Sequence, residues 1–321
     1  MVDSPGRITL WGIEVFVATA EERSISAAAR RLGASPSAIS QQLTNLETAV
    51  GATLLQRNAR PVILTPAGEL FRRRAQRILN EATLARAELA MADMSALTRF
   101  RLGMIEDFEA DVTPQLLAQL AGELKGCQFL LETGASHYLH DQLDARVLDV
   151  IVAAEMGTEA DWMEMHPLLN EGFVVAAPKG AVDQRGNVLQ QLKALPLVQY
   201  TTRHHMGRML ASHLARQNLT LAHKFEVDSY HAILALVAEG AGWTILTPLA
   251  LMRARRFADR LDVFELPFKP LSRTITLTAR KGVLQDMPRD VAAQLRPLLQ
   301  DVIIKPVIQQ YPFMADIIRR L

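Results

Sequence analysis

The sequence of 321 residues has a single cysteine, Cys127. One thiol excludes an internal disulfide framework and a Cys-x-x-Cys redox or zinc site, and this usage fits a reducing compartment. Cys127 directly precedes a run that we predict to be a buried strand. A lone cysteine in that position is more often a small core residue than a redox switch.

Long apolar runs are also missing, because no stretch reaches the roughly 18 uninterrupted apolar residues that indicate a membrane-spanning helix. The first residues, Met1-Val2-Asp3-Ser4-Pro5, lack the charged and apolar regions of a signal peptide. Apolar residues make up 49% of the chain and charged residues 21%, which is typical of globular proteins. We therefore expect a soluble, cytoplasmic protein with no membrane partner.

Lysine is absent before Lys125, and the whole chain carries a net charge of only +1. Residues 1–94 nevertheless contain 11 arginines against 9 acidic residues, a net charge of +2, while the remainder is slightly acidic. The amino-terminal third is therefore the better candidate for an anionic partner.

Residues 8–47 predict three short helices. Apolar residues recur at helical spacing in the first, Ser24 is placed to cap the second, and Gly33 to end it. Ser35 followed by Pro36 starts the third helix, which runs to about Glu47. Its outward face, here called the recognition face, is polar and uncharged and comprises Ser37, Ser40, Gln41 and Thr44. Two helices joined by a short glycine-containing turn match a helix-turn-helix, whose second helix enters a DNA major groove.

A hairpin and a long helix follow. Residues 54–64 predict a β-hairpin with Arg57 and Arg60 near its tip, which is typical of a wing. Residues 66–94 predict one helix of about 43 Å. Its apolar positions follow a heptad pattern and form what we call the linker seam: Phe71, Ala75, Ile78, Ala82, Ala85, Leu89 and Ala92. A narrow apolar seam on a long helix favours pairing with a second copy of the same helix over packing on its own domain.

After Arg99 the pattern changes to strands alternating with helices. The predicted strands are residues 100–105, 128–132, 147–153, 173–177, 197–200, 223–227, 243–246 and an alternating strand around 275–279. The predicted helices are residues 112–124, 136–146, 205–217, 229–239 and a final helical region from 286. Continuous apolar strands between helices indicate parallel sheets covered on both faces, here as two α/β subdomains with a cleft between them.

An ordered set of residues in the first 68 positions resembles the amino-terminal domain of LysR-type transcriptional regulators. It comprises Ile13-Glu14-Val15-Phe16, Ser24, Ala27-Ala28-Ala29-Arg30-Arg31-Leu32, Ser35-Pro36-Ser37-Ala38-Ile39-Ser40-Gln41-Gln42-Leu43, Leu46-Glu47, Gly51, Leu54-Leu55, Arg57 and Leu64-Thr65-Pro66-Ala67-Gly68. Ile25 and Leu55 depart from it, since the family often has phenylalanine there. The resemblance extends to about residue 300, so the role of the remaining tail stays open.

The resemblance implies an α/β multidomain fold in four parts. These are a winged helix-turn-helix at residues 1–65, a linker and dimerisation helix at 66–94, an effector-binding domain at 95–304 like a type 2 periplasmic binding protein, and an extension at 305–321. Within the effector-binding domain, subdomain I would be about 95–170 and 271–304, and subdomain II about 171–270. No cofactor is implied.

The family plan implies a homo-oligomer, commonly a tetramer, that binds double-stranded promoter DNA and responds to a small effector, with RNA polymerase as a further partner. The residues expected at DNA are Ser24, Arg30, Arg31, Ser35, Pro36, Ser37, Ser40, Gln41, Thr44, Arg57 and Arg60. The recognition face would read base edges, with Gln41 suited to adenine, and the arginines would hold phosphates. Dimerisation is assigned to Phe71, Ala75, Ile78, Ala82, Ala85 and Leu89 of the linker seam.

The same family geometry places an effector at loops that follow the strands. The residues expected there are Glu106, Asp107, Ser136, His137, Thr202, Arg203, His204 and Thr247. Hydroxyl groups at helix starts and Arg203 favour an anionic effector, whereas Glu106 and Asp107 would repel one, so zwitterionic and cationic effectors stay open. Disulfide-based oxidant sensors of the family need a second cysteine, which this chain lacks.

Three alternatives concern the same region. His137, His140, His204 and His205 allow a metal site in principle, but a bare His-x-x-His spacing is nonspecific, and surface or hydrogen-bonded histidines are the simpler interpretation. An enzyme is not favoured, because the sequence shows no nucleophile elbow, His-Glu-x-x-His motif or P-loop. A solute-binding α/β protein is disfavoured by the absent signal peptide and the preceding winged helix.

Overall fold

The computed structural model describes residues 7–90, 97–157 and 160–321. Contacts divide the chain into two compact units. The first comprises the described residues up to Leu97 together with Asp144–Val147, and the second comprises Thr98–Leu143 and Leu148–Leu321.

The first unit is a winged helix-turn-helix followed by a long helix. Its elements are α1 Leu10–Glu22, α2 Ile25–Leu32, α3 Pro36–Val50, β1 Leu55–Gln56, β2 Ile63–Leu64 and α4 Pro66–Ala90. The α2 N-terminus is capped by Ser24 Oγ, which accepts from the amide of Ala27 at 3.3 Å. Gly33 ends α2 in the left-handed region at φ 63°, where the absence of a side chain avoids strain. These local signals set the turn between α2 and α3.

The core of the first unit joins all of its helices. Phe16 of α1 is fully buried, and its ring lies 5.3 Å from the ring of Phe71 in α4. Ile39, Leu43 and Leu46 of α3 are buried in the same cluster. Because α3 buries this apolar face, its polar residues face outward.

The second unit contains most of the chain. Its elements are β3 Arg99–Ile105, α5 Thr113–Glu123, β4 Gln128–Gly134, α6 Ser136–Asp144, β5 Val150–Ala154, β6 Met163–Gly172, β7 Val174–Pro178, α7 Val188–Lys193, β8 Leu197–Tyr200, α8 His205–Arg216, β9 His223–Val227, α9 Tyr230–Ala238, β10 Thr244–Leu246, α10 Pro248–Arg253, β11 Leu261–Glu265, β12 Ser272–Arg280, α11 Met287–Leu299, α12 Lys305–Gln310 and β13 Ile318–Arg320. Each predicted strand overlaps an observed one.

The sheets are mixed, which corrects the expectation of parallel sheets. The larger sheet has the order β13-β6-β12-β5-β3-β4; β3 runs parallel to β4 and β5, while β12 runs antiparallel to β5 and β6. In a three-stranded sheet, β10 and β11 both pair antiparallel with β7, and in a separate two-stranded sheet β8 pairs parallel with β9. Apolar runs report burial on both faces of a sheet, but they do not report strand direction.

Residues 305–321, expected to be an extension, pack onto the larger sheet. Its edge strand β13 pairs antiparallel with β6, and Val307, Met314 and Ile318 are buried. Arg296 of α11 donates to the carbonyls of Pro167 and Leu321, both at 2.9 Å. The tail is therefore part of the second unit.

Candidate functional site

The recognition face of α3 is presented to solvent. Ser37, Gln41 and Thr44 are exposed and Ser40 is half-buried. Gln41 Nε2 donates to Asn45 Oδ1 at 3.0 Å, an exposed bond within the helix that a base edge can replace. The face therefore offers neutral hydrogen-bonding groups of the kind that read bases in a major groove.

Arg57 and Glu47 fix the wing to α3. Arg57 donates to the Ser40 carbonyl at 3.2 Å and to Thr44 Oγ1 at 2.9 Å, and it forms an ion pair with Glu47. Glu47 also accepts from the amide of Leu54 at 2.7 Å. The guanidinium of Arg57 is thus engaged inside the unit, and its contact with a DNA phosphate stays a prediction. Glu47 is among the residues that carry the family resemblance, but its contact with the wing could be seen only in the folded structure.

The other residues expected at DNA divide into caps and exposed cations. Ser35 caps α3 by accepting from the amide of Ala38 at 3.2 Å, and Pro36 begins that helix. Arg31 is exposed but pairs with Glu21 at 2.6 Å and with Glu22. Arg30 and Arg60 are exposed, and neither has an ion-pair partner among the described residues. Arg30 and Arg60 are thus the expected phosphate-binding residues with the least competition from within the unit.

The linker seam is only partly available to a second copy. Phe71 packs on Phe16 and is half-buried, and Ala75 is 0% exposed in the core of its own unit, so these two positions offer little surface to a partner helix. Ile78 is 40% exposed, Ala82 is half-buried and Ala85 is exposed. The side chain of Leu89 and residue Ala92 lie outside the described part of the chain.

A cavity of about 80 Å³ lies in the second unit, at the carboxyl ends of β3, β4 and β5 and beside the start of α8. Among the residues that line it are Asp107 after β3, His137 in α6, His204 before α8 and Tyr230 in α9. We call this cavity the cleft. Its walls include residues of the six-stranded sheet and Tyr200 of β8, as expected for a ligand site at the ends of α/β strands.

An ion-pair cluster of Asp107, Glu171 and Arg273 closes one side of the cleft. Arg273 lies 2.9 Å from Asp107 Oδ2 and 2.6 Å from Glu171 Oε1, and the three side chains are 8%, 7% and 0% exposed in the order Arg273, Asp107, Glu171. Burial by itself lowers the pKa of Arg273, but the charges of Glu171 and Asp107 outweigh burial and raise it. The guanidinium therefore stays charged and holds two carboxylates, one in the turn after β3 and one on β6.

Three buried polar atoms at the cleft have no hydrogen-bond partner among the described residues. They are Asp107 Oδ1, His204 Nδ1 and Tyr230 Oη. The His204 ring packs edge-on against His137 with the ring centroids 5.2 Å apart, and the Tyr230 ring lies 4.9 Å from that of Tyr200. Buried polar atoms are normally satisfied, so this group indicates a place for a ligand or for water.

Comparison with known proteins identifies the family. A family model described as the LysR substrate binding domain matches residues 95–300, and a model of the bacterial regulatory helix-turn-helix protein, lysR family, matches residues 10–69. The chain belongs to the LysR family of transcriptional regulators. It is a regulator with a DNA-binding helix-turn-helix and an effector-binding domain, and not an enzyme.

Individual LysR relatives and structures agree with this assignment. A probable hydrogen peroxide-inducible genes activator of Mycobacterium xenopi is 32% identical over 180 residues, which cover 56% of this chain and 95% of that protein. One of Streptomyces viridosporus is 27% identical over 302 residues, covering 92% and 96%. A full-length OxyR variant from Pseudomonas aeruginosa gives a TM-score of 0.66 at 24% identity, covering 91% and 95%. Full-length CbnR complexed with its target DNA gives 0.60 at 19%, covering 90% and 100%; these two structures show a shared fold.

Only some of the residues predicted to bind a LysR effector line the cleft. Glu106, Asp107, Ser136, His137 and His204 line it. Three other predicted residues are not among the lining residues: Thr202, Arg203 and Thr247.

Each of these three has a different position. The amide and hydroxyl of Thr202 donate to Glu226 Oε1 at 2.9 and 3.3 Å, and the Arg203 side chain is 80% exposed. Thr247 is buried, caps α10 and lies 3.4 Å from Arg273.

The sequence did not predict three residues that line this LysR cleft, Arg273, Tyr230 and Arg253, or Glu171, which pairs with Arg273. Arg273 lies near the start of β12, and an antiparallel strand brings its amino end to the edge where parallel strands have their carboxyl ends. Glu171 lies opposite Arg273 in the register of β6 and β12. A search confined to loops after parallel strands cannot find residues at the start of an antiparallel strand.

The described residues contain no cluster of three or more histidine, cysteine, aspartate or glutamate side chains placed to hold a metal ion. His140 Nε2 instead lies 3.0 Å from the Ala154 carbonyl.

None of the described helices is long and apolar enough to cross a bilayer.

The pKa of His137 is lowered chiefly by burial and further by His204 and Arg208, with Asp141 acting in the opposite direction. As the pH falls, His137 is therefore protonated at a higher pH in the unfolded chain than in the folded chain. The contribution of neutral His137 to stability is therefore present above the ordinary pKa of about 6.5, and it is lost as the pH falls through the lower folded value.

We expect His137→Gln to gain stability relative to the wild type as the pH is lowered from about 7.5 to about 5, because glutamine has no proton to take up. The measurement is the thermal-unfolding temperature of both proteins across this range. His223→Gln, on the exposed strand β9, is the control for loss of an imidazole. A difference between His137→Gln and the wild type that does not change with pH would contradict the expectation.

Proposed function

We propose that this LysR-family chain binds promoter DNA as a homo-oligomer, with α3 in the major groove, and that a small molecule in the cleft changes how the DNA-binding units are placed on the promoter. The domain division is then residues 1–65 for DNA binding, 66–94 for pairing, 95–304 for the effector and 305–321 as a tail packed on the effector domain. A ligand achieves this change only if it prefers one arrangement of the oligomer.

The recognition face is the observation that carries this proposal. Ser24 and Ser35 cap the two helices of the motif, and the apolar side of α3 is fully used in the core. Its remaining side is polar, uncharged and exposed, which suits base edges better than phosphates. Arg57 and Glu47 support it by holding the wing and α3 at a fixed separation.

The effector in this proposal does not act by forming a disulfide within the chain. Several relatives are named hydrogen peroxide-inducible genes activators. This chain has one cysteine, Cys127, which is half-buried and is not among the residues that line the cleft. Burial is the largest cause that raises the pKa of Cys127, followed by the charge of Asp149, and a raised pKa reduces the reactive thiolate. A ligand that binds in the cleft is therefore the better-supported signal.

The DNA-binding proposal is tested by comparing a base-reading with a phosphate-holding position. Gln41→Ala is expected to lower discrimination between the operator and a scrambled duplex by about 1–3 kcal/mol, because it removes a bidentate contact to a base. Arg30→Ala is expected to weaken binding to both duplexes alike and to reduce the salt slope by about 1. The measurement is fluorescence-anisotropy titration of both variants on both duplexes.

The same two variants can also show that the proposed recognition face does not read bases. If Gln41→Ala weakens both duplexes equally, as Arg30→Ala does, α3 contributes only to nonspecific binding and the proposed recognition face is wrong. Both side chains are exposed, so neither substitution disturbs the core.

The proposed pairing of linker helices is tested at Ile78, which is 40% exposed in the single chain. Ile78→Glu is expected to weaken self-association at least about tenfold, because burial of an isoleucine side chain contributes about 1.5–3 kcal/mol. Light scattering over a dilution series measures this. Arg73→Glu, an exposed position of the same helix outside the linker seam, controls for the added charge. Unchanged association of Ile78→Glu would exclude the seam as the interface.

A further inference from the structure

Both guanidinium groups that line the cleft are already held by carboxylates. Arg273 is bound by Asp107 and Glu171, and Arg253 donates to Glu106 Oε2 at 2.7 Å. A carboxylate on a ligand would have to displace one of these partners before it could pair with an arginine. The arrangement therefore gives an anionic ligand no ready counter-charge.

The charge of the cleft points in the same direction. Among the described residues that line it, four are acidic and two are arginines, which gives a formal charge of −2 when the histidines are neutral. The acidic residues are Glu106, Asp107, Glu155 and Asp228. The pKa of Tyr200 is raised to about 12, first by burial and then by the charges of Glu106, Asp107 and Asp228. A pocket of this sign attracts cations and repels anions.

The unpartnered oxygen of Asp107 is an independent observation. Its side chain is 7% exposed and Oδ2 is paired with Arg273, while Oδ1 is buried without a hydrogen-bond partner among the described residues. A carboxylate oxygen only accepts hydrogen bonds, so the group that satisfies it must be a donor. Tyr230 Oη and His204 Nδ1, also unpartnered at the cleft, can each serve as donor or acceptor.

The size of the cleft limits the ligand. Its volume is about 80 Å³. An engineered cavity of about 150 Å³ binds benzene, so in proportion the cleft holds a buried group of about three or four heavy atoms. An ammonium group on a short alkyl chain fits this volume.

We propose that the effector is a small organic cation, a primary amine whose ammonium group donates to Asp107 Oδ1. This inference rests on the proposed function in taking the cleft as the effector site, and it adds the chemical class. The amine leaves the ion-pair cluster intact, because it binds the oxygen that Arg273 does not use. It also offsets the negative charge of the cleft.

The experiment compares three probes of similar size and different charge on the full chain. n-Propylamine, 1-propanol and propionate are titrated by calorimetry and by ligand-observed NMR in the absence of DNA. Saturable binding of propylamine that is at least about tenfold tighter than that of propionate is the expected result. Propionate binding as tightly as propylamine would overturn the proposal, as would the absence of saturable binding by propylamine.

The site is then tested with a conservative variant and a matched control. Asp107→Asn keeps the shape of the side chain and removes its charge, and it is expected to weaken propylamine binding at least about tenfold. Asp111→Asn removes an exposed carboxylate that does not line the cleft, and it should leave binding unchanged. Equal affinity of Asp107→Asn and the wild type would overturn the proposal. If Asp107→Asn does not fold, the ranking of the three probes on the wild type still decides it.

Omitting DNA separates this inference from the proposed function. Amine binding with no effect on DNA binding would leave the assigned ligand class standing and count against effector-controlled promoter binding. Specific DNA binding by a protein that ignores propylamine would support the regulator and reject the amine.

Discussion

Arg273→Ala is expected to lower the free energy of unfolding of the second unit by about 3–5 kcal/mol, because it leaves Asp107 and Glu171 as uncompensated buried charges. Glu171 is 0% exposed, so water cannot replace the guanidinium without opening the fold. Since Arg273 joins the loop after β3 to strand β6, the cleft should lose its shape together with its stability.

Thermal unfolding measures this effect. For a unit of this size, about 1 kcal/mol corresponds to roughly 2–4 °C, so a decrease of at least about 6 °C is expected. Arg289→Ala is the control, because Arg289 is an exposed arginine whose pairs with Asp286 and Asp290 lie on the surface of α11, and its loss should cost less than about 1 kcal/mol. A decrease for Arg273→Ala no larger than the control would show that the ion-pair cluster does not stabilise the unit.

Gly207→Ala is expected to destabilise the second unit by about 2–3 kcal/mol through overpacking at the start of α8. A Cβ atom at residue 207 would lie 2.0 Å from the Thr201 carbonyl oxygen and 2.7 Å from that of Tyr200, and these are backbone atoms that cannot rotate away. The first turn of α8 would have to move, and it carries His205 and Met206, which line the cleft.

Gly122→Ala is the matched control, since it makes the same change in helix α5 of the same unit. A Cβ atom there meets nothing within 4 Å, so this variant should be more stable by about 0.5–1 kcal/mol because alanine favours the helix. Denaturant unfolding of both variants gives the comparison. If Gly207→Ala were as stable as Gly122→Ala, the close contact with the Thr201 and Tyr200 carbonyls would not constrain α8.

Local signals were sufficient to predict the DNA-binding unit. Ser24, Gly33, Ser35 and Pro36 each determine a helix end through their own backbone chemistry, so the three helices could be located without knowledge of the fold. The role of Arg57 could not be predicted this way, because its partner Glu47 lies ten residues earlier and on another element.

Periodicity was less informative for the linker helix. The spacing of Phe71, Ala75 and Ile78 indicates an apolar stripe, but it does not say what covers the stripe. The structure covers Phe71 and Ala75 with the core of the same unit and leaves Ile78 exposed. One continuous heptad pattern thus includes residues packed in the unit's own core and a residue exposed to solvent.

The sequence indicated the loops of the cleft and two of its acidic residues, Glu106 and Asp107, but not the arginines that pair with them. Loops after β3 and before α6 were found, because strand ends follow from apolar runs and turn residues. The pairing of Arg273 with Asp107 spans 166 positions of the chain and depends on the antiparallel course of β12. Sequence separation of that size, together with strand direction, is information that a single sequence does not display.

This LysR-family chain is proposed to recognise its own promoter region through α3. The most direct measurement is anisotropy binding of the full chain to DNA upstream of its gene and to a scrambled duplex, from about 50 to about 200 mM salt. We expect a preference for the upstream DNA at every salt concentration, with both affinities falling as salt rises because arginines release counterions from phosphates. Equal affinity for the two duplexes throughout the series would contradict it.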